Sequence, residues 1–172
     1  MMLCAIWALF WLAVTSLILP TFVSASVQKF DWRLANISVE LSTIAYCDDP
    51  RVALISYSDS LQGFAISSIM IGTKGFIGSL PSERTIYVVY AGTGTLLDWV
   101  VDADAPLMDY GGCDKCKVHQ GFRLVEQMGF PKVLSNVGLL KLMHPSYKVV
   151  VTGHSKGAAE ATIAALDLIK AG

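Results

Sequence analysis

The sequence predicts an α/β layered fold, and three observations carry that expectation. Two nearly continuous β-branched and aromatic runs, at 85–90 and 147–152, suit strands buried on both faces. Helical patterns lie at 121–143 and 156–170, so strand, helix, strand and helix alternate. The pentapeptide Gly153-His154-Ser155-Lys156-Gly157 joins the last strand directly to the last helix.

Taken in order, the chain begins with a leader. No Asp, Glu, Lys or Arg precedes Lys29, and residues 2–23 are almost wholly apolar. Val23-Ser24-Ala25 places small residues at −3 and −1 of a cleavage after Ala25, the pattern of a secretory signal peptide. The run is also long enough to cross a bilayer, which needs about 20 apolar residues, so an uncleaved signal anchor is its rival. Pro20 and the small-residue site favour cleavage. Residues 1–25 are therefore read as a signal peptide and 26–172 as one domain of a secreted protein. Asn36-Ile37-Ser38 is then an N-glycosylation acceptor triplet.

The remaining elements follow from local pattern. Leu34, Ile37, Val39, Leu41, Ile44 and Ala45 form a helical stripe within 30–46. Glycines bound two strands, at 63–72 and 75–80, and Pro81-Ser82-Glu83-Arg84 is a turn before the 85–90 strand. The stretch after Gly121 reads as two helices, 121–128 and 131–143, broken at Gly129 and reopened by Pro131 at a first-turn position. Ala, Leu and Ile fill the helix at 156–170.

Composition excludes several classes. Hydrophobic residues make up 53% and charged residues 16%, too apolar for intrinsic disorder. With 13 basic and 14 acidic residues, the net charge of −1 offers no footprint for nucleic acid or an anionic membrane. Cys4 leaves with the leader, so Cys47, Cys113 and Cys116 remain. Cys113-Asp114-Lys115-Cys116 could be a local disulfide, a redox pair or half a zinc site. Zinc needs about four ligands, and no second C-x-x-C or H-x3-H pair occurs. Tyr110-Gly111-Gly112 before the pair does not suit the redox arrangement, so a structural clip is preferred. Cys47 is left over. No metal or other cofactor is expected.

Ser155 is the candidate nucleophile. A Gly-x-Ser-x-Gly turn between strand and helix is where a nucleophile elbow belongs. Its sharp turn strains the serine backbone and leaves no room for neighbouring Cβ atoms, which Gly153 and Gly157 lack. The hydroxyl then projects from the carboxyl end of the strand, and the backbone N–H of Lys156 can donate to an oxyanion. A serine also needs a base within reach. His154 should point away from it, His144 lies at the far end of the strand, and His119 reads as a structural or loop histidine. Only Glu160, Asp167 and the terminal carboxylate follow Ser155.

Four blocks together resemble the class 3, fungal-type lipase family. They are Leu41-Ser42-Thr43-Ile44-Ala45-Tyr46-Cys47, Tyr90-Ala91-Gly92-Thr93, Cys116-Lys117-Val118-His119-Gln120-Gly121-Phe122 and the segment 147–167. The resemblance implies an α/β-hydrolase sheet with flanking helices, truncated after the elbow helix, and hydrolysis of lipid carboxylic esters at a lipid–water interface. By position Ser155 resembles the family nucleophile, and Thr93 the first oxyanion donor, with Lys156 N–H the second. Leu96, Leu97, Trp99 and Val100 resemble the short amphipathic lid; an ordinary packed helix is the alternative there. Ala91 stands where the family usually has Arg, Lys156 replaces the common Leu, and Ala158 and Glu160 also depart from its pattern. The family's catalytic Asp and His fall outside the matched region. The chain is therefore expected to be a fragment, a truncated gene product or a pseudoenzyme, and inactive alone. The competing readings are a silent remnant that binds lipid surfaces or a protein, and an esterase acting on phenolic esters.

Overall fold

The computed structural model describes residues 29–57, 59–70, 72–92 and 106–172. The leader, Thr93 and the lid positions Leu96, Leu97, Trp99 and Val100 lie outside the described residues. Four helices are described: α1 (Trp32–Ile44), α2 (Pro50–Ile55), α3 (Gln120–Met143) and α4 (Lys156–Ala171). Six strands accompany them: β1 (Ala65–Ile69), β2 (Gly75–Leu80), β3 (Thr85–Tyr90), β4 (Leu107–Asp109), β5 (Lys117–His119) and β6 (Lys148–Gly153).

The main sheet has the order β1-β2-β3-β6. Its first three strands form an antiparallel meander, and β6 joins β3 in parallel, from Thr85 opposite Lys148 to Tyr90 opposite Gly153. Side chains on a strand alternate between faces. Tyr87 and Val89 accordingly pack with Ile37, Leu41, Ile44 and Phe76 on the α1 side. Ile86, Val88 and Tyr90 pack with Val133, Val137, Leu140, Ala161 and Ala164, which α3 and α4 supply. The two layers sandwich β3, and every residue of that strand is buried. Each fully buried Ile or Leu contributes roughly 1.5–3 kcal/mol.

The helices start where their caps dictate. The Asp31 carboxylate accepts from Leu34 N at 3.0 Å and opens α1. Asp49 caps α2, with Pro50 at its first position. Val39 belonged to the predicted α1 stripe, but it is 66% exposed; the buried apolar positions are Ile37, Leu41 and Ile44, at spacings of four and three, with Ser42 buried beside them.

One expectation is corrected. Residues 120–143 form a single helix with Pro131 inside it, not two helices parted at Gly129. Glu126, Gly129, Val133, Val137 and Leu140 make one unbroken buried stripe at helical spacing, while Pro131 faces outward. Packing of that stripe offsets the hydrogen bond that proline forgoes. Gly129 is part of the contact rather than a break, because a Cβ there would stand 2.8 Å from the Thr73 methyl.

The second expectation to change concerns β6. Its Val-rich run reads as doubly buried, yet Lys148 and Val149 are exposed and Val150 to Gly153 are only half-buried. Among the described residues β6 has one partner strand, β3. β4 and β5 form a separate antiparallel hairpin, and a disulfide joins Cys113 to Cys116 in its turn. Cys47 is a free, half-buried thiol.

Candidate active site

Ser155 stands at the tip of β6 with φ 56° and ψ −126°, outside the regions that non-glycine residues favour. The residue is exposed, and α4 begins at the next position. The turn closes on itself, with Gly157 N donating to His154 O and Ala158 N to Ser155 O at 3.0 and 2.9 Å. Neither flanking glycine could carry a side chain. A Cβ on Gly157 would lie 2.5 Å from the Tyr90 carbonyl oxygen, and one on Gly153 would lie 2.5 Å from the Gly157 carbonyl oxygen. The elbow is thus pressed against the end of β3. Helix α4 points its N-terminus at this corner, the end that favours negative charge.

The segment leaving β3 is brought to the same place. Ala91 N donates to Lys74 O at 2.9 Å, and a Cβ on Gly92 would overlap the Tyr46 hydroxyl and approach His154 O to 2.9 Å. Tyr46 Oη in turn pairs with His154 Nδ1 at 2.8 Å. Lys74 Nζ donates to Tyr46 O at 2.7 Å. The end of α1, the β1–β2 turn, the residues after β3 and the elbow therefore converge within hydrogen-bonding reach of one another.

The three histidines all have other partners. His119 Nδ1 accepts from Phe122 N at 3.3 Å, caps α3 and stacks on the Phe122 ring. His144 stacks on Tyr147 with ring centroids 4.5 Å apart. His154 turns its Nδ1 to Tyr46.

A buried ionic network joins α3 to α4. Arg123 Nη1 bridges Glu126, at 2.7 Å, and Asp167. Tyr110 Oη donates to Asp167 at 2.7 Å, and Arg123 stacks over the Tyr110 ring. Burial and the Asp167 carboxylate push the Tyr110 phenol up to about 12. Burial also raises Glu126 to about 7, reinforced by Asp167 and opposed by Arg123. Tyr90 Oη and Glu126 Oε1 are buried without a hydrogen-bond partner among the described residues. Burial, then Glu126, Glu160 and Asp167, drive the Tyr90 phenol well above its ordinary value. Next to this network Lys156 Nζ contacts Glu160, which also accepts from Thr73 Oγ1 at 2.8 Å.

Sequence reasoning did not find Tyr46, Thr73, Lys74 or Glu126. The signal for the Lys156–Glu160 pair was present: two charges four residues apart on the inward stripe of an Ala-rich helix. Among the described residues no group of three His, Cys, Asp or Glu side chains is arranged to hold a metal ion.

A strained serine at a strand-to-helix elbow on a sheet with flanking helices defines an α/β-hydrolase. Comparison with known proteins then places the chain in the class 3 lipase family, whose profile, "Lipase (class 3)", matches residues 87–172. The lipase of Rhizomucor miehei is 34% identical over 102 residues, 59% of this chain and 28% of the relative. A secreted mono- and diacylglycerol lipase of Penicillium camembertii is 30% identical over 116 residues, 67% of this chain and 36% of the relative. Among solved structures, a triacylglycerol lipase described as having a serine-protease triad superposes with a TM-score of 0.67 at 27% identity, over 83% of this chain and 57% of that one. The chain spans about a quarter to a third of the length of these curated relatives.

Proposed function

We propose that this chain carries the nucleophilic half of a secreted serine hydrolase acting on carboxylic esters of lipids. The observation that carries the reading is the exposed Ser155 at φ 56°, held by two glycines against the end of β3. Ser155 Oγ attacks the ester carbonyl carbon while its proton passes to a base. The carbonyl oxygen becomes an oxyanion beside Lys156 N–H, with Thr93 as the other donor. Collapse of that intermediate expels the alcohol, and water then releases the acid from the acyl-serine. Leu96, Leu97, Trp99 and Val100 serve as an apolar flap that prefers a lipid surface. Cleavage after Ala25 releases the domain 26–172, and the exposed Asn36 accepts a glycan. The printed names of the relatives, lipases and secreted lipases, support the substrate class and the export.

The base and its acid come from outside this sequence, because His119, His144 and His154 are each held elsewhere. These 172 residues alone therefore do not turn over esters. The same observation favours a second reading, a catalytically silent member of the family that binds lipid surfaces or a protein. Turnover of short-chain, long-chain and phenolic esters separates the two. The 172-residue chain and a longer form supplying an Asp and a His are each compared with their Ser155→Ala versions. Ser155-dependent turnover by the longer form alone supports the first reading, and none from either form supports the second. Ser155-dependent turnover by the 172 residues would make one of their own histidines the base, His119 being the first to test. The preferred ester identifies the acyl group.

A further inference from the structure

We propose that Thr73, Glu160 and Lys156 form a strut from the β1–β2 turn that fixes the backbone N–H of Lys156. The proposal rests on the reading of Ser155 as nucleophile, for which that N–H is an oxyanion donor. Lys156 and Glu160 both depart from the family pattern, and the structure shows that the two departures belong together. The Lys156 side chain is only 11% exposed and Glu160 is fully buried, and their charged ends are in contact. The second Glu160 oxygen accepts from Thr73 Oγ1 at 2.8 Å.

Helix stability does not account for the pair. A lysine in the first turn meets the positive end of the helix dipole, and Lys before Glu at this spacing is the weaker orientation. A buried ion pair also adds little net stability over apolar side chains of similar size. What the pair adds is position. Thr73 is held from two sides, its methyl against Gly129 of α3 and its hydroxyl on Glu160 of α4. Through Glu160 the turn fixes the first turn of α4. Through Lys74, one residue on, the same turn accepts the Ala91 N–H and donates to Tyr46 O, holding the chain where it leaves β3. One turn thereby holds both the first turn of α4 and the end of β3. Thr73, Glu160 and the Lys156 side chain are positioning residues; none needs to touch substrate.

The test is a mutant cycle with two readouts: amide hydrogen exchange across 153–160, and the rate at which a fluorophosphonate probe labels Ser155 in the longer form that supplies an Asp and a His. Thr73→Val should speed exchange and slow labelling, each by about tenfold, the scale of a small misplacement of reacting groups. Thr73→Ser keeps the donor and should restore both. Lys156→Leu leaves Glu160 buried without its cation and should act more strongly than Thr73→Val. Combining it with Glu160→Ala removes the uncompensated charge but also the link to Thr73, so exchange should stay at least as fast as in Thr73→Val. If Lys156→Leu does not fold, Thr73→Val, which removes one hydroxyl, carries the test. Failure of Thr73→Ser to rescue, or wild-type exchange in the double variant that lacks both Lys156 and Glu160 side chains, overturns the strut. Coupled exchange in a longer form whose Ser155 never takes the probe supports the strut and overturns the nucleophile reading instead.

Discussion

β3 and β6 lie side by side in parallel register and look alike in sequence, as TIYVVY and KVVVTG, yet they have opposite surroundings. β3 is covered on both faces and flanked by β2 and β6. β6 has one flanking strand among the described residues, and a shallow groove lined by Val151, Thr152, Ala161 and Leu166 runs where it meets α4. Among the described residues, then, the neighbours a strand has, rather than its residue types, set its burial. The difference also divides the labour: β3 is the fixed reference, and β6 carries the strained serine on its tip against that reference.

The largest expected effect tests the division directly. Ile86→Ala in β3 should cost about 2–5 kcal/mol, because the cavity opens inside a closed layer. Val149→Ala in β6 should stay within about 0.5 kcal/mol, as for other surface changes. Urea denaturation of both would break the comparison if the costs were equal.

A second expectation concerns pH. Burial, reinforced by Asp167, pushes the carboxyl of Glu126 on α3 up from its ordinary 4.5 to about 7. The folded protein therefore holds the extra proton between those values. Stability should be greatest at and below pH 4.5 as far as this group is concerned, and fall as pH rises through 7, by up to about 3 kcal/mol. Other carboxylates add their own slopes, so the difference between wild type and Glu126→Gln is the measurement. A slope unchanged in Glu126→Gln would contradict the assignment.

Gly157→Ala sharpens the contact between the two strands. Its new Cβ would stand 2.5 Å from the Tyr90 carbonyl oxygen, and moving the elbow off β3 should cost about 1–3 kcal/mol. Gly138→Ala, on α3 with open space around it, should not destabilise; thermal melts of the two variants provide the check. The smallest effect is a gain. Tyr90→Phe removes a buried hydroxyl that has no hydrogen-bond partner among the described residues and should stabilise by about 1 kcal/mol, read in the same melts.

Much of the fold was legible because its strands and last helix are strongly patterned. β2, β3 and α4 fall within a residue of their predicted bounds, and the Ser155 elbow lies where glycines and alanines said it should. What escaped was set by tertiary contact. The break read at Gly129 is absent because Thr73, distant in sequence, packs against that glycine. α2 and the β4–β5 hairpin are too short to show a period. The supports of the site were hidden for a similar reason: nothing local tells Tyr46 that it will meet His154, or Thr73 that it will meet Glu160.

The order in which the sheet is stitched has a consequence for how the protein is made. β1, β2 and β3 are consecutive hairpin neighbours, so a growing chain can pair them as soon as they leave the ribosome. β6 must wait for the long crossover through α3 before it finds β3, a distant pairing that carries a larger entropic penalty. The serine's unfavourable backbone is thus imposed late, on a surface already assembled. Slowing translation across the crossover should leave the meander formed and the elbow unmade.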